Sequence, residues 1–346
     1  MTLQGSGTIK FSDITAEFGT PSGKNLGAFR VNQTVGEKAF PLDDGVPTSG
    51  PIKFSDFYNK KLTCVIDYHS GGSVNRVQAP DQWNANNVTV IGGHRSKPGA
   101  INSSEWQGGK KIVIHVNKTI GCVNNSNADR CGLRTGSWRA DTELVIDVGG
   151  EGRIYGGGGK GGDGGNAPSS GENGTTGTSA LGIQYSGGTV VNIASGGVIQ
   201  RGFGGGGGGG GAHEYDKGSR RYASGGGGGG GQGRPGGARG DRGSGGNVGG
   251  HGTAGSVDAA GEGGGGSDNG GEAQGGGGGE GAWTGDTSAD SGGGGGGNST
   301  GSGGSGGGNG AAIRRASGVS EGSITVNNSG TVNPNSNTTS AATGVS

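Results

Sequence analysis

Residues 212–224, AHEYDKGSRRYAS, bring His213, Tyr215, Arg220, Arg221 and Tyr222 together between the glycine runs 204–211 and 225–231. Aromatic faces can stack on the apolar side of a sugar ring, while Arg, Asp and His bind hydroxyl or phosphate groups. A second polar segment, GAWTGDTSADS (281–291), carries Trp283 and Asp286, and His251 lies in a third. This chemistry is recognition without bond breaking. The same rings would serve equally well folded back over the ends of the elements that flank them.

Motifs suggestive of catalysis or cofactors fail on spacing. Abundant glycine generates G-x-G-x-x-G by chance, so a dinucleotide site gains no support. GGGGKGG (156–162) lacks the first-glycine spacing of a P-loop and has no Ser or Thr after Lys160. GGKGGDGGN (158–166) resembles a calcium β-roll repeat, but Gly165 stands where a large apolar residue belongs and the repeat is not tandem. Arg239-Gly240-Asp241 reads as a chance tripeptide. Pairs such as Glu262 with Asp268, or Asp286 with Asp290, offer no spacing that assembles a glycosidase. Cys122 and Cys131 could close a short loop as a disulfide, but with Cys64 they read rather as reduced structural thiols. No enzyme, cofactor or metal is expected.

The elements that must position the polar segments are the glycine runs 156–159, 204–211, 225–231, 263–266, 275–279 and 292–297. Free polyglycine has high backbone entropy and makes a flexible linker when it stands alone. Here several runs alternate with aromatic and charged segments, and 72 of the 96 glycines fall in residues 151–312. That alternation predicts polyglycine II rods: threefold left-handed helices rising about 3.1 Å per residue, with amides pointing outward to bond neighbouring rods. Collagen is excluded, because glycine is not kept at every third position throughout and the chain has 9 prolines.

Around this block the pattern is β. LTCVIDY (62–68), NVTVI (87–91), KIVIHV (111–116) and ELVIDV (143–148) read as short strands of a small all-β module over 61–150, with Trp83, Trp106 and Trp138 as core or lid residues. IDVGGEGRIY (146–155), VNIASGGVIQ (191–200) and ITVNNSGTVN (324–333) align without gaps. Each reads as a strand, a turn whose glycine takes positive φ, and a return strand, so hairpins bracket the glycine block. The last belongs to a segment 313–346 made of a returning hairpin and a tail.

The first 60 residues contain a duplication, SGTIKFSDI (6–14) and SGPIKFSDF (49–57). Each copy predicts an extended apolar piece, Ile9 to Phe11 or Ile52 to Phe54, followed by Ser12 or Ser55 as a helix N-cap. The first helix should stop at Gly19. Ile9, Phe11, Ile52 and Phe54 are candidates for docking on two equivalent surfaces of a partner, although the two copies could instead pack on each other.

Formal net charge is zero, which removes the long-range pull of a nucleic-acid or anionic-membrane binder. Residues 201–242 carry seven Lys or Arg against three acids, whereas 243–291 carry seven acids and no Lys or Arg. No secretory signal and no long apolar run stands out.

The hairpin ends "GRIYGGGGKGGDGGNA" and "GVIQRGFGGGGGGGGA", followed by glycine runs divided by polar loops, resemble the polyglycine-sandwich adhesins at the tips of T-even-like bacteriophage long tail fibres. The resemblance covers residues 143–333. It implies a noncatalytic receptor-binding protein of the virion, with segments 212–224, 232–262, 267–274 and 280–291 as recognition loops for a bacterial outer-membrane protein or surface glycan. It also implies an N-terminal attachment region, here 1–60, holding it to tail fibre or baseplate proteins. The expected fold is mostly β with a polyglycine II bundle over 151–312. Rival readings are a surface-glycan depolymerase of a phage tail and a polyglycine II ice-binding protein.

Overall fold

The computed structural model describes residues 3–35, 38–68, 73–85, 88–91, 93–94, 109–123, 127–216, 219–269, 273–282, 288–297, 299–333 and 339–340. It is mostly β, with short helices at Phe11–Phe18 and Ala79–Asn84. The central element is a three-sided parallel solenoid. Strands Thr63–Tyr68, Lys111–Val116, Glu143–Val148, Thr189–Ile193 and Ile324–Asn328 stack in parallel as its first sheet, with Val88–Ile91 added antiparallel at one edge. Val74–Asn75, Thr119–Gly121, Arg153–Tyr155, Val198–Gln200 and Thr331–Asn333 form the second sheet. Val77–Gln78, Cys131–Arg134, Ser179–Ile183, Ile313–Arg315 and Thr339–Ser340 form the third.

Alternation places one row of every strand inside. Ile66, Ile114, Ile146 and Val191 pack from the first sheet against Ile120, Ile154 and Ile199 of the second and Leu133, Leu181 and Ile313 of the third. The expected bracketing hairpins are corrected here. The two strands of each aligned repeat belong to different sheets, so each repeat is one corner of a solenoid turn, with Ile146 opposite Val191 and Arg153 opposite Val198. Nor is the shared glycine a positive-φ residue, since Gly152, Gly197 and Gly330 are absent from that class. Its role is stacking: a Cβ on Gly152 would stand 2.3 Å from the Val116 carbonyl oxygen, and one on Gly330 2.4 Å from that of Gly197. The division expected at residue 150 falls inside this solenoid.

The first residues close one end of the solenoid. Ile14, Phe18, Phe29 and Phe57 are fully buried, with Phe29 edge-on to Phe57 at 5.8 Å, and they join Leu62 and Trp83 in the solenoid core. Glu17 and Lys110 form an ion pair at 2.8 Å with both side chains fully buried. Both helical turns of the duplicated motif start one residue before the expected serine. Phe11 and Phe54 are their first residues, and the carboxylates of Asp13 and Asp56 accept from the backbone N–H of Lys10 and Lys53 at 2.8 and 2.7 Å. Gly19, at φ 85°, ends the first helix as expected. Trp83 and Trp138 meet edge to face at 5.8 Å inside the core, and Trp106 lies outside the described residues. Cys64, Cys122 and Cys131 are free and buried.

The glycine-rich chain leaves the solenoid at one type of corner, between second-sheet and third-sheet strands: residues 156–178 in one turn, 201–312 in the next. It does not form α or β ladders along the runs. Successive segments pass back and forth, and their amides bond segments far away in sequence with a period of three. From the run 204–211, Gly205, Gly208 and Gly211 donate to Thr175, Glu172 and Ser169, Gly206 and Gly209 to Gly229 and Gly226, and Gly207 and Gly210 to Asp290 and Gly293. Its carbonyls accept in the same rhythm from 301–307, from 162–165 and from 276–279. This central run is thereby ringed by neighbours.

Position in the block explains glycine density. In the central runs every residue faces a neighbour, and a Cβ on Gly206 would stand 2.1 Å from the Gly279 carbonyl oxygen. At the flanks only one residue in three faces inward, so glycine recurs at 237, 240 and 243, and at 249, 252 and 255, while Arg239, Asp241 and His251 point away. The segment 232–262, expected as one recognition loop, therefore contains two of these bonded passes.

Candidate functional site

The back-and-forth path sorts the connections between two ends. Gln232 donates its amide to Ala282, Gly233 to Ser256 and Gly310 to Gly202, beside the solenoid corner. At the opposite end Gly211 donates to Ser169, Ser224 to Asn247, Ser267 to Ser224 and Gln274 to Gly296. Among the described residues the remote end thus gathers 166–169, 212–216, 219–224, 244–248, 267–269, 273–274, 296–297 and 299–300.

Its most developed feature is an antiparallel hairpin, Ala212–Asp216 paired with Ser219–Ala223 and extended by Ser299–Thr300. Period-two alternation gives it two faces. Ala212 and Ala223 are fully buried and pack with Ala273, and Glu214, opposite Arg221, is also buried on this face. His213, opposite Tyr222, and Tyr215, opposite Arg220, occupy the other face. The His213 and Tyr222 rings lie 5.0 Å apart, tilted by 31°. Tyr215 is 57% exposed. Four of the expected recognition residues therefore share one outward face, an aromatic stack beside an exposed phenol and guanidinium. Arg221 stands on the reverse face.

His251 does not join them. It sits on a flanking pass, where its Nδ1 lies 3.2 Å from Asp241 Oδ1. Trp283 and Asp286 fall outside the described residues; the flanking Ala282 and Ala289 bond Gly204 and Gly307, at the solenoid end. Of the four docking candidates, Ile9 lies inside the core, Phe11 packs on Phe29 at 5.6 Å, Ile52 packs partly buried against the core, and Phe54 is 42% exposed. The duplicated motifs are consequently inequivalent.

Asn166, outside every expected recognition loop, completes the remote end with Ser244, Val248 and Asn269 of the expected loops 232–262 and 267–274. Asn166 Oδ1 accepts from the Ser244 amide and hydroxyl, Asn269 Nδ2 donates to the Tyr222 carbonyl at 3.1 Å, and Val248 is 46% exposed. Their grouping became identifiable only once each pass had been traced. Among the described residues no group of His, Cys, Asp and Glu is arranged to hold a metal ion, and no helix is long and apolar enough to cross a membrane.

The model of the phage tail fibre adhesin Gp38 family matches residues 87–290. No curated protein matches the chain in sequence. Among solved structures it is similar to the gp37-gp38 adhesin tip complex of the bacteriophage S16 long tail fibre, at 18% identity and a TM-score of 0.37 over 95% of this chain and 98% of that one. The family match spans more than half the chain and takes in its hairpin and most of its glycine passes, so the chain belongs to the phage tail fibre adhesin Gp38 family and is a tail adhesin that recognises the bacterial host.

Proposed function

We propose that this adhesin binds its receptor with the outward face of the 212–223 hairpin, displayed at the tip of a polyglycine II sandwich. The period-three bonding of 204–211 supports the sandwich reading, because a threefold helix directs successive amides about 120° apart. The observation that carries the receptor assignment is the grouping of His213, Tyr215, Arg220 and Tyr222 on one face, at the end remote from the solenoid. Exposed Tyr and Arg are the side chains most often found to dominate binding interfaces. The receptor class is an outer-membrane protein or a surface glycan, and recognition is noncatalytic.

Attachment to tail fibre or baseplate proteins is assigned to the opposite end, residues 1–60. Phe54 is its exposed apolar contact, with Ile52 beside it. Exchange of 212–223 for the corresponding hairpin of a relative with another host tests the receptor assignment. Adsorption should follow the donated hairpin while virion assembly is retained; adsorption still restricted to the original host would refute it.

A further inference from the structure

The outer face of the first solenoid sheet carries two adjoining cavities, of about 350 and 320 Å³, that share Lys38, Ala39 and Asp147 in their walls. Both lie where strand Lys38–Phe40, paired antiparallel with Gln33–Val35 as an N-terminal hairpin, crosses the sheet. In the larger one Val113, Val145 and Val190 line the wall, in register across three strands, with Phe40 on the hairpin side. Asn192 and Asn327 edge it, linked by an amide hydrogen bond of 2.8 Å. The smaller one is bordered by His115 and Asn117.

His115 is 1% exposed, and its ring meets Phe40 edge-on at 5.4 Å. Its Nδ1 lies 2.7 Å from Asp147 Oδ2, and Lys38 Nζ binds Asp147 Oδ1. Nε2 is buried and, among the described residues, has no hydrogen-bond partner. With Nδ1 turned to the carboxylate, Nε2 is a buried polar atom that calls for a partner. The two cavities thus combine an apolar wall with an unsatisfied ring nitrogen, a carboxylate, an ammonium and paired amides. Four carboxyl groups, Asp43, Asp44, Glu143 and Asp147, face two ammonium groups, Lys38 and Lys111, an excess that disfavours anionic ligands.

We propose that these cavities form a second binding site of the adhesin, for a neutral hydroxylated sugar ring. Each volume lies at the lower end of the range of small-molecule pockets. The C–H face of the ring rests on the valines and Phe40, one hydroxyl hydrogen-bonds His115 Nε2, and others bond Asp147, Lys38 and Asn192. The site stands on the solenoid and does not depend on the receptor assignment of the hairpin.

Saturation-transfer NMR on the full chain tests it, with methyl α-D-glucopyranoside as the neutral probe and glucose 6-phosphate as the anionic one. Transfer from the neutral probe at about 10 mM, weakened about tenfold in Asn192→Leu and in Asp147→Asn, is the expected result. Asn192→Leu lies at the cavity edge and still tests the site should Asp147→Asn lower the melting temperature. Absence of transfer overturns the proposal, as does transfer that is unaffected by Asn192→Leu or equal for the phosphorylated probe.

Discussion

Gly207 and Gly304 approach so closely that a Cβ on Gly207 would lie 1.9 Å from the Gly304 carbonyl oxygen. The contact is backbone against backbone, with no flexible side-chain end to move aside. Gly207→Ala must push apart passes that bond 204–211 on every side, and should destabilise the fold by about 3 kcal/mol or more. Gly265 has nothing among the described residues within 4 Å of the corresponding position, so Gly265→Ala should change stability by less than about 0.5 kcal/mol. Chemical denaturation of the two variants separates a packed block from a loose linker, which would tolerate both.

Tyr215→Ala and Arg220→Ala alter the outward face of the hairpin without touching Ala212, Ala223 or Ala273 beneath it. Adsorption to host cells should fall by about tenfold or more in each variant, with the melting temperature unchanged. Normal adsorption by the double variant would remove the hairpin from the receptor site.

Lys110→Met strands the buried carboxylate of Glu17, whose Oε1 also accepts from the Leu62 amide. Removing one partner of a fully buried pair costs about 3–5 kcal/mol. Thermal melting should show the loss together with detachment of the N-terminal segment, read as rapid proteolysis before residue 60.

Acid should loosen the N-terminal hairpin through Asp147. Burial by itself would raise this carboxyl, but hydrogen bonds from His115 and Lys38, with the charge of Lys38, outweigh it and hold its pKa below the ordinary 3.8. A lowered folded-state pKa means that the ionised form stabilises the fold. That contribution is complete above the unfolded value and disappears as pH falls from 3.8 through the lower folded value. The gap in denaturation midpoint between the native chain and Asp147→Asn should therefore close between about pH 5 and pH 2, and a constant gap would contradict this coupling.

Much of the β-rich body was legible because its strands are apolar runs of ordinary length, and 63–68, 88–91, 111–116 and 143–148 fall where the pattern places them. Their topology was not. A strand, a short turn containing glycine and another strand describe both a hairpin and a solenoid corner, and only register with Val116 or Gly197 reveals that Gly152 and Gly330 serve stacking. The 212–223 hairpin was legible as composition, but not as a face, since the pairing of His213 with Tyr222 and of Tyr215 with Arg220 depends on where the turn falls. Ile9 looked like an external handle because an apolar residue in a short segment reads the same whether it meets a partner or the chain's own core.

By itself, the sequence determined that glycine would be packed backbone to backbone and that polar, aromatic segments would lie between the passes, because these follow from side-chain size and chemistry. Only the tertiary structure decided which segments share an end, and which glycines lie at the centre of the block. Those outcomes depend on the direction and neighbours of every pass, and bare amides that can bond in any of several directions leave that choice to the assembled whole.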